Sequence, residues 1–138
     1  MTPDRPLRDN PLSDASRVRL QLAVGTLAWR PSCGDALVRY APSGSPATAV
    51  LLLSGAFDAE TVSCLREALD TVRTPQIELV LLDMTGVTFG DSALVHELTD
   101  TQGRPQRHVL LGPLTRQVAR LLDLTDTRHA LDIALDAA

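Results

Sequence analysis

The 138-residue sequence contains no lysine; all 13 of its basic residues are arginines. Set against 17 acidic residues, they leave a formal net charge of −4. Nucleic-acid binding is the function this disfavours first, because contact with a phosphate backbone needs a basic excess. Aromatic residues are scarce as well, at 3%, so the core has to be built from Leu, Val and Ala. Only two cysteines occur, Cys33 and Cys64, with no CxxC pair and no nearby histidine. That excludes zinc-ligand spacing. Cys64 is expected as a small core residue of a helix. Long apolar runs are missing: the longest, residues 49–53, is far short of a membrane span. Residues 1–16 carry Asp and Pro and no apolar centre, which argues against a secretory signal and predicts disorder there. The expected setting is the cytoplasm.

What is present is an ordinary globular composition, 44% hydrophobic and 22% charged, at a length that suits one domain with a single core. In residues 17–30, Val18, Leu20, Leu22 and Val24 alternate with Arg19, Gln21 and Ala23, which predicts an extra edge strand or a docking extension. Residues 31–35 read as a turn, 36–40 as a short strand and 41–47 as a Pro/Gly/Ser hairpin loop. A second strand over 48–54 ends in Gly55-Ala56-Phe57-Asp58. Asp58 is placed to cap the next helix, whose apolar face is Val62, Leu65, Leu69 and Val72, and Thr74-Pro75 stops that helix.

The centre of the chain follows. Residues 77–83 read as a strand whose continuous apolar run, 79–82, suits burial on both faces. A polar loop through Asp83, Thr85, Gly86 and Thr88 then delivers Asp91-Ser92, a helix start, with the helix expected over 91–100. Residues 107–111 read as a strand. Gly112-Pro113 opens a third helix with Leu114, Val118, Leu121 and Leu122 inward. Leu131, Ile133 and Leu135 alternate as a last strand. This order predicts an α/β domain with a mixed sheet of four or five strands and helices packed mainly on one face.

A buried strand that hands a loop to a helix N-terminus is a geometry that suits anions, so residues 83–94 are the first candidate site. Enzymatic readings of it find no support. There is no Gly-x-x-x-x-Gly-Lys loop to cradle phosphates. There is no Gly-x-Ser-x-Gly elbow to make Ser92 the nucleophile of a triad. His96, His108 and His129 are scattered. Arg104, Arg107, Arg116, Arg120 and Arg128 read as a solvated face, with Arg116 and Arg120 at i,i+4 spacing. No catalytic residue, metal site or cofactor is assigned.

Two segments resemble a known family. Gly55-Ala56-Phe57-Asp58 is similar to the Gly-Glu-Leu-Asp signature that ends a strand in STAS domains of the anti-sigma factor antagonist type. Asp83-Met84-Thr85-Gly86-Val87-Thr88-Phe89-Gly90-Asp91-Ser92 resembles the second signature, in which an Asp-led loop runs through Val-x-Phe to Asp-Ser-[Ser/Thr]-Gly. The helix from Pro113 to Asp126, with its Val-x-x-Leu-Leu-x-Leu-Thr pattern, fits as well. The resemblance covers residues 36–135, and it divides the chain into an N-terminal extension, 1–34, and a STAS domain, 35–138.

The resemblance implies a binding module and no enzyme. Its partner would be an anti-sigma factor, usually a serine kinase of the histidine-kinase-like ATPase fold. Sequestering that factor releases a sigma factor. No nucleic acid or membrane contact and no cofactor are implied. The partner surface carried over consists of Asp58, Val87, Thr88, Phe89, Gly90, Asp91, Ser92, Ala93 and Leu94. In the family the kinase phosphorylates the hydroxyl residue two positions after the Asp of the second signature, and the added charge breaks the complex. Here that position is Ala93, followed by Leu94 where the family has Gly. The usual switch cannot operate at Ala93, and Ser92 is only a displaced substitute. The alternative is a scaffolding or small-ligand, anion-sensing domain that uses the same loop-to-helix pocket. Few residues follow the last strand, which leaves little for the family's closing helix and an edge open to homodimerisation.

Overall fold

The computed structural model describes residues 21–23 and 26–134. The expectation of disorder in residues 1–16 falls outside them, as does Leu135. The described residues form one mixed seven-stranded sheet in the order β1-β2-β3-β4-β5-β6-β7. The strands are β1 Gln21–Ala23, β2 Thr26–Trp29, β3 Leu37–Ala41, β4 Thr48–Phe57, β5 Leu79–Gly90, β6 Arg107–Leu111 and β7 Ile133–Ala134. Pairing is antiparallel from β1 to β4 and parallel from β4 to β7. The α/β class and mixed sheet are those expected. The strand count exceeds four or five because β1 and β2 add two antiparallel strands at the sheet edge.

The parallel half is built from strand–helix–strand units. Helix α1 (Ser63–Val72) joins β4 to β5, α2 (Ser92–Thr101) joins β5 to β6, and α3 (Arg116–Leu124) lies between β6 and β7. Crossovers of this kind are right-handed, and the strands advance across the sheet in chain order, so all three helices fall on one face. The burial along β4 agrees: Ala49, Leu51, Leu53 and Phe57 are buried while Val50 and Leu52 between them are half-buried. Those inner-face residues join Leu65 and Leu69 of α1, Leu94 and Leu98 of α2, and Val118 and Leu122 of α3 in one core. Cys64 belongs to that core, and burial pushes its thiol up to about 12.

Three sequence-based expectations need correction. β5 is not buried on both faces: Val80, Leu82 and Met84 are, but Leu79 and Leu81 are only half-buried, because every described helix lies on the other side. The polar segment after Asp83 is not a loop, for β5 continues through it to Gly90. Its pairing with β4 survives by two register shifts, between Leu52 and Ser54 and between Gly55 and Ala56. These absorb the extra β5 residues as bulges do. Finally, Pro113 does not open α3. It follows a cis peptide with Gly112, and Thr115 is the N-cap, its hydroxyl accepting from the Val118 N–H.

Candidate functional site

β4 and β5 end together, Phe57 opposite Gly90, and the Asp91 N–H donates to the Phe57 carbonyl at 3.3 Å. Asp58 and Asp91 therefore leave the sheet side by side, at the carboxyl ends of two parallel strands. This brings together the two segments that the sequence places 33 positions apart.

Asp91 is the N-cap of α2. Its backbone is extended, and its Oδ1 accepts from the Ala93 N–H at 2.8 Å while its carbonyl accepts from Leu94 and Val95. Asp58 does related work a turn ahead of α1, not at its cap, since α1 begins only at Ser63 with Val62 at the N-cap. The Asp58 carboxylate accepts from the N–H groups of Glu60 and Thr61, both near 3 Å. The Glu60 N–H above all, then the hydroxyl and N–H of Thr61, hold this carboxyl below its ordinary value. Both aspartates are thus fixed in direction by backbone donors.

The rigidity of the site comes from residues that sequence reading passed over. Thr61 is buried; its hydroxyl accepts from the Asp58 N–H and reaches the Ala56 carbonyl, both at 2.9 Å. Asp35, read only as part of a turn, accepts from the Ala56 N–H at 3.0 Å. From α3, Gln117 accepts from the Gly90 N–H at 2.8 Å and donates to the Gly90 carbonyl at 2.9 Å. None of the three stands in a motif. The one signal that could have flagged them is residue type, since a Thr, an Asp and a Gln beside strand ends have the right groups to satisfy exposed backbone.

The carried-over partner surface divides by burial. Thr88, Phe89 and Ser92 are exposed, and Asp58, Asp91 and Ala93 are partly so. Val87, Gly90 and Leu94 are buried. Val87 and Leu94 belong to the core cluster beneath that surface, and Gly90 links Phe89 to the Asp91 cap. Phe89, 43% exposed, is one of two large apolar residues left open among the described residues, with Leu124. The Ser92 hydroxyl is open and makes no hydrogen bond to the described residues.

The electrostatics do not favour an anion at the head of α2. The Asp91 carboxylate accepts from the Ala93 N–H, and Asp58 stands at the end of the neighbouring strand, so the groups flanking the helix start are acidic. No described helix is long and apolar enough to cross a membrane. Among the described residues no group of three His, Cys, Asp or Glu could hold a metal ion. At the strand ends the exposed Phe89, Thr88 and Ser92 stand close to Asp91 in the chain, with Asp58 at the end of the neighbouring strand.

Comparison with known proteins agrees with this geometry. The family described as "Mlab, STAS domain" matches residues 41–133, more than half of the chain. The solved structure of the anti-sigma factor antagonist SpoIIAA in its unphosphorylated form is similar, with a TM-score of 0.51 at 17% identity. The match covers 73% of this chain and 89% of that one. At that identity the likeness is one of fold. No curated protein matches the chain. A matching family over two thirds of the sequence, a shared fold and paired aspartates at the ends of β4 and β5 have one reading: the chain belongs to the STAS domain family.

Proposed function

We propose that this STAS domain is a protein-binding regulator of the anti-sigma factor antagonist type, acting in the cytoplasm without catalysis. Its partner is an anti-sigma factor, a serine kinase of the histidine-kinase-like ATPase fold. The observation that carries the reading is the open Phe89 between Thr88 and the Asp91 cap, 43% exposed beside the head of α2. A large apolar side chain held there by strand pairing and a helix cap is a docking anchor whose conformation is fixed before binding.

Regulation differs from the family pattern in this reading. The position two after Asp91 is Ala93, which has no oxygen to accept a phosphoryl group. The domain is therefore a binder that its kinase cannot turn off. In the Ala93→Ser variant the new hydroxyl oxygen would attack the γ-phosphorus of ATP, lose its proton to a base on the kinase and release ADP. The product would place close to two negative charges between Asp58 and Asp91 and repel the partner.

The test uses purified anti-sigma factor kinases from the cell that makes this protein, each measured for binding by calorimetry. One of them should bind the wild type, and Phe89→Ser should weaken that complex by ten-fold or more. With ATP present, mass spectrometry should show no phosphate on the wild type and one on Ala93→Ser. Phosphate on wild-type Ser92 would sink the claim that the switch is gone. Absence of binding to every kinase would sink the docking reading. Thermal stabilisation by inorganic phosphate or a nucleotide would favour the anion-sensing alternative.

A further inference from the structure

We propose that Gln117 is a positioning residue for the docking surface, holding the end of β5 by its backbone between Phe89 and Asp91. The proposal rests on the docking reading of that surface. β5 continues to Gly90, but its pairing with β6 stops at Asp83 opposite Leu111. Beyond that point strand pairing supports β5 on one side only, from β4, and through two register shifts. A strand end held in that way can slide or twist. At Gly90 the missing side is supplied by a side chain. The Gly90 N–H donates to Gln117 Oε1 at 2.8 Å, and Gln117 Nε2 donates to the Gly90 carbonyl at 2.9 Å. A primary amide presents one donor and one acceptor as a peptide group does. Gln117 therefore completes both backbone partners of a buried residue in the way a neighbouring strand would.

The geometry sets the position of the surface as well as its stability. Gln117 precedes Val118, which is fully buried, so the amide is carried on a part of α3 fixed to the core. Gly90 lies between the exposed Phe89 and the N-cap Asp91, so α3 sets where both stand. Few other side chains could do this. Asn is a methylene too short, and Leu has no polar atom. Glu, ionised at neutral pH, keeps the acceptor for the Gly90 N–H but turns a second acceptor toward the Gly90 carbonyl.

The test is made on the full chain with two readouts: exchange of the Gly90 amide proton by NMR, and affinity for the kinase that binds the wild type. Q117L should speed Gly90 exchange at least ten-fold while Leu110 in β6 keeps its protection, and should weaken the partner about ten-fold. Where Q117L does not fold, Q117E, which keeps one of the two bonds, takes its place with a smaller change in the same direction. If Gln117 acts through Phe89, then in a Phe89→Ala background Q117L should cost less than two-fold in affinity. Unchanged Gly90 exchange overturns the proposal, and so do affinity losses that multiply independently in the double variant. If no kinase binds the wild type, the docking reading fails, and Gly90 exchange still decides whether Gln117 holds the strand end.

Discussion

Gly55 shows how much of the site depends on a single residue. It has φ +90, and a Cβ there would run into the Asp35 carbonyl oxygen. Neither problem can be relieved by a side-chain rotation, because the obstacle is backbone. Gly55 sits in β4 at the register shift between Gly55 and Ala56, where the Ala56 N–H donates to the Asp35 carboxylate. Gly55→Ala is therefore expected to cost roughly 2–3 kcal/mol, from positive-φ strain plus displacement of the Asp35 segment. The midpoint of urea unfolding measures it; a loss under about 0.5 kcal/mol would mean that the segment moves aside freely. Ala93 is the opposite case. It packs against the core edge with its N–H capped by Asp91, and nothing structural requires that it be alanine. That is why Ala93→Ser is a usable gain-of-function test.

Between elements, one polar contact joins two helices and another joins a helix end to a strand. Arg66 of α1 donates from Nε and Nη2 to Glu97 Oε2 of α2, at 2.9 and 2.7 Å, which compensates a carboxylate that is otherwise buried. The second is more sensitive to pH. His108 of β6 is 2% exposed; its Nε2 accepts from Arg73 Nε at 3.0 Å, just past the end of α1, and its Nδ1 lies 3.0 Å from the Gln106 carbonyl. These partners fit a neutral ring that carries its proton on Nδ1. Burial, then the neighbouring Arg73 charge, pull the imidazole down to about 4. Arg104 lowers it further, while the Gln106 carbonyl and Asp100 oppose these effects. Because the folded value lies below that of a free histidine, the unfolded chain binds the extra proton first as pH falls. The stabilisation is thus complete above pH ~6.5, declines as pH drops, and is gone below pH ~4, a loss on the order of 3 kcal/mol. His108→Gln keeps an acceptor for Arg73 and removes the titration. Unfolding midpoints between pH ~4 and ~7 should be flatter for that variant than for the wild type; parallel curves would refute the assignment.

At the scale of the whole molecule, the question is where the domain begins. The family match starts at residue 41, and the sequence places the domain boundary near residue 35. The structure puts β1 and β2 on the same sheet as the rest, and Trp29, at the end of β2, is 2% exposed within the common core. In a chain with so few aromatics this is the largest core side chain, and it comes from outside the matched region. Trp29→Ala is expected to cost about 3–5 kcal/mol, the range for emptying a large buried aromatic site. Thermal unfolding would show this as a large fall in Tm. A change of only a few degrees would mean that the hairpin is an appendage that the STAS core does not need.

The sequence by itself determined the order of elements, the apolar faces of the helices and the two signatures that identify the family. Those are local properties. The helical spacing of Val62, Leu65, Leu69 and Val72, the Asp91-Ser92 cap and the apolar stretches 49–53 and 109–111 are written in neighbouring residues. Only the tertiary structure decided the rest. It extended β5 through a stretch whose Thr and Gly content reads as a loop, because pairing with β4 overrides local preference. It left one face of that strand half-open, because right-handed crossovers put all three helices on the other side. It also separated the exposed Phe89 from the buried Val87 and Leu94, and it brought Asp35, Thr61 and Gln117 to the strand ends. Such contacts join residues up to 27 positions apart, Gly90 to Gln117. No local pattern encodes a partner that distant; the fold supplies it.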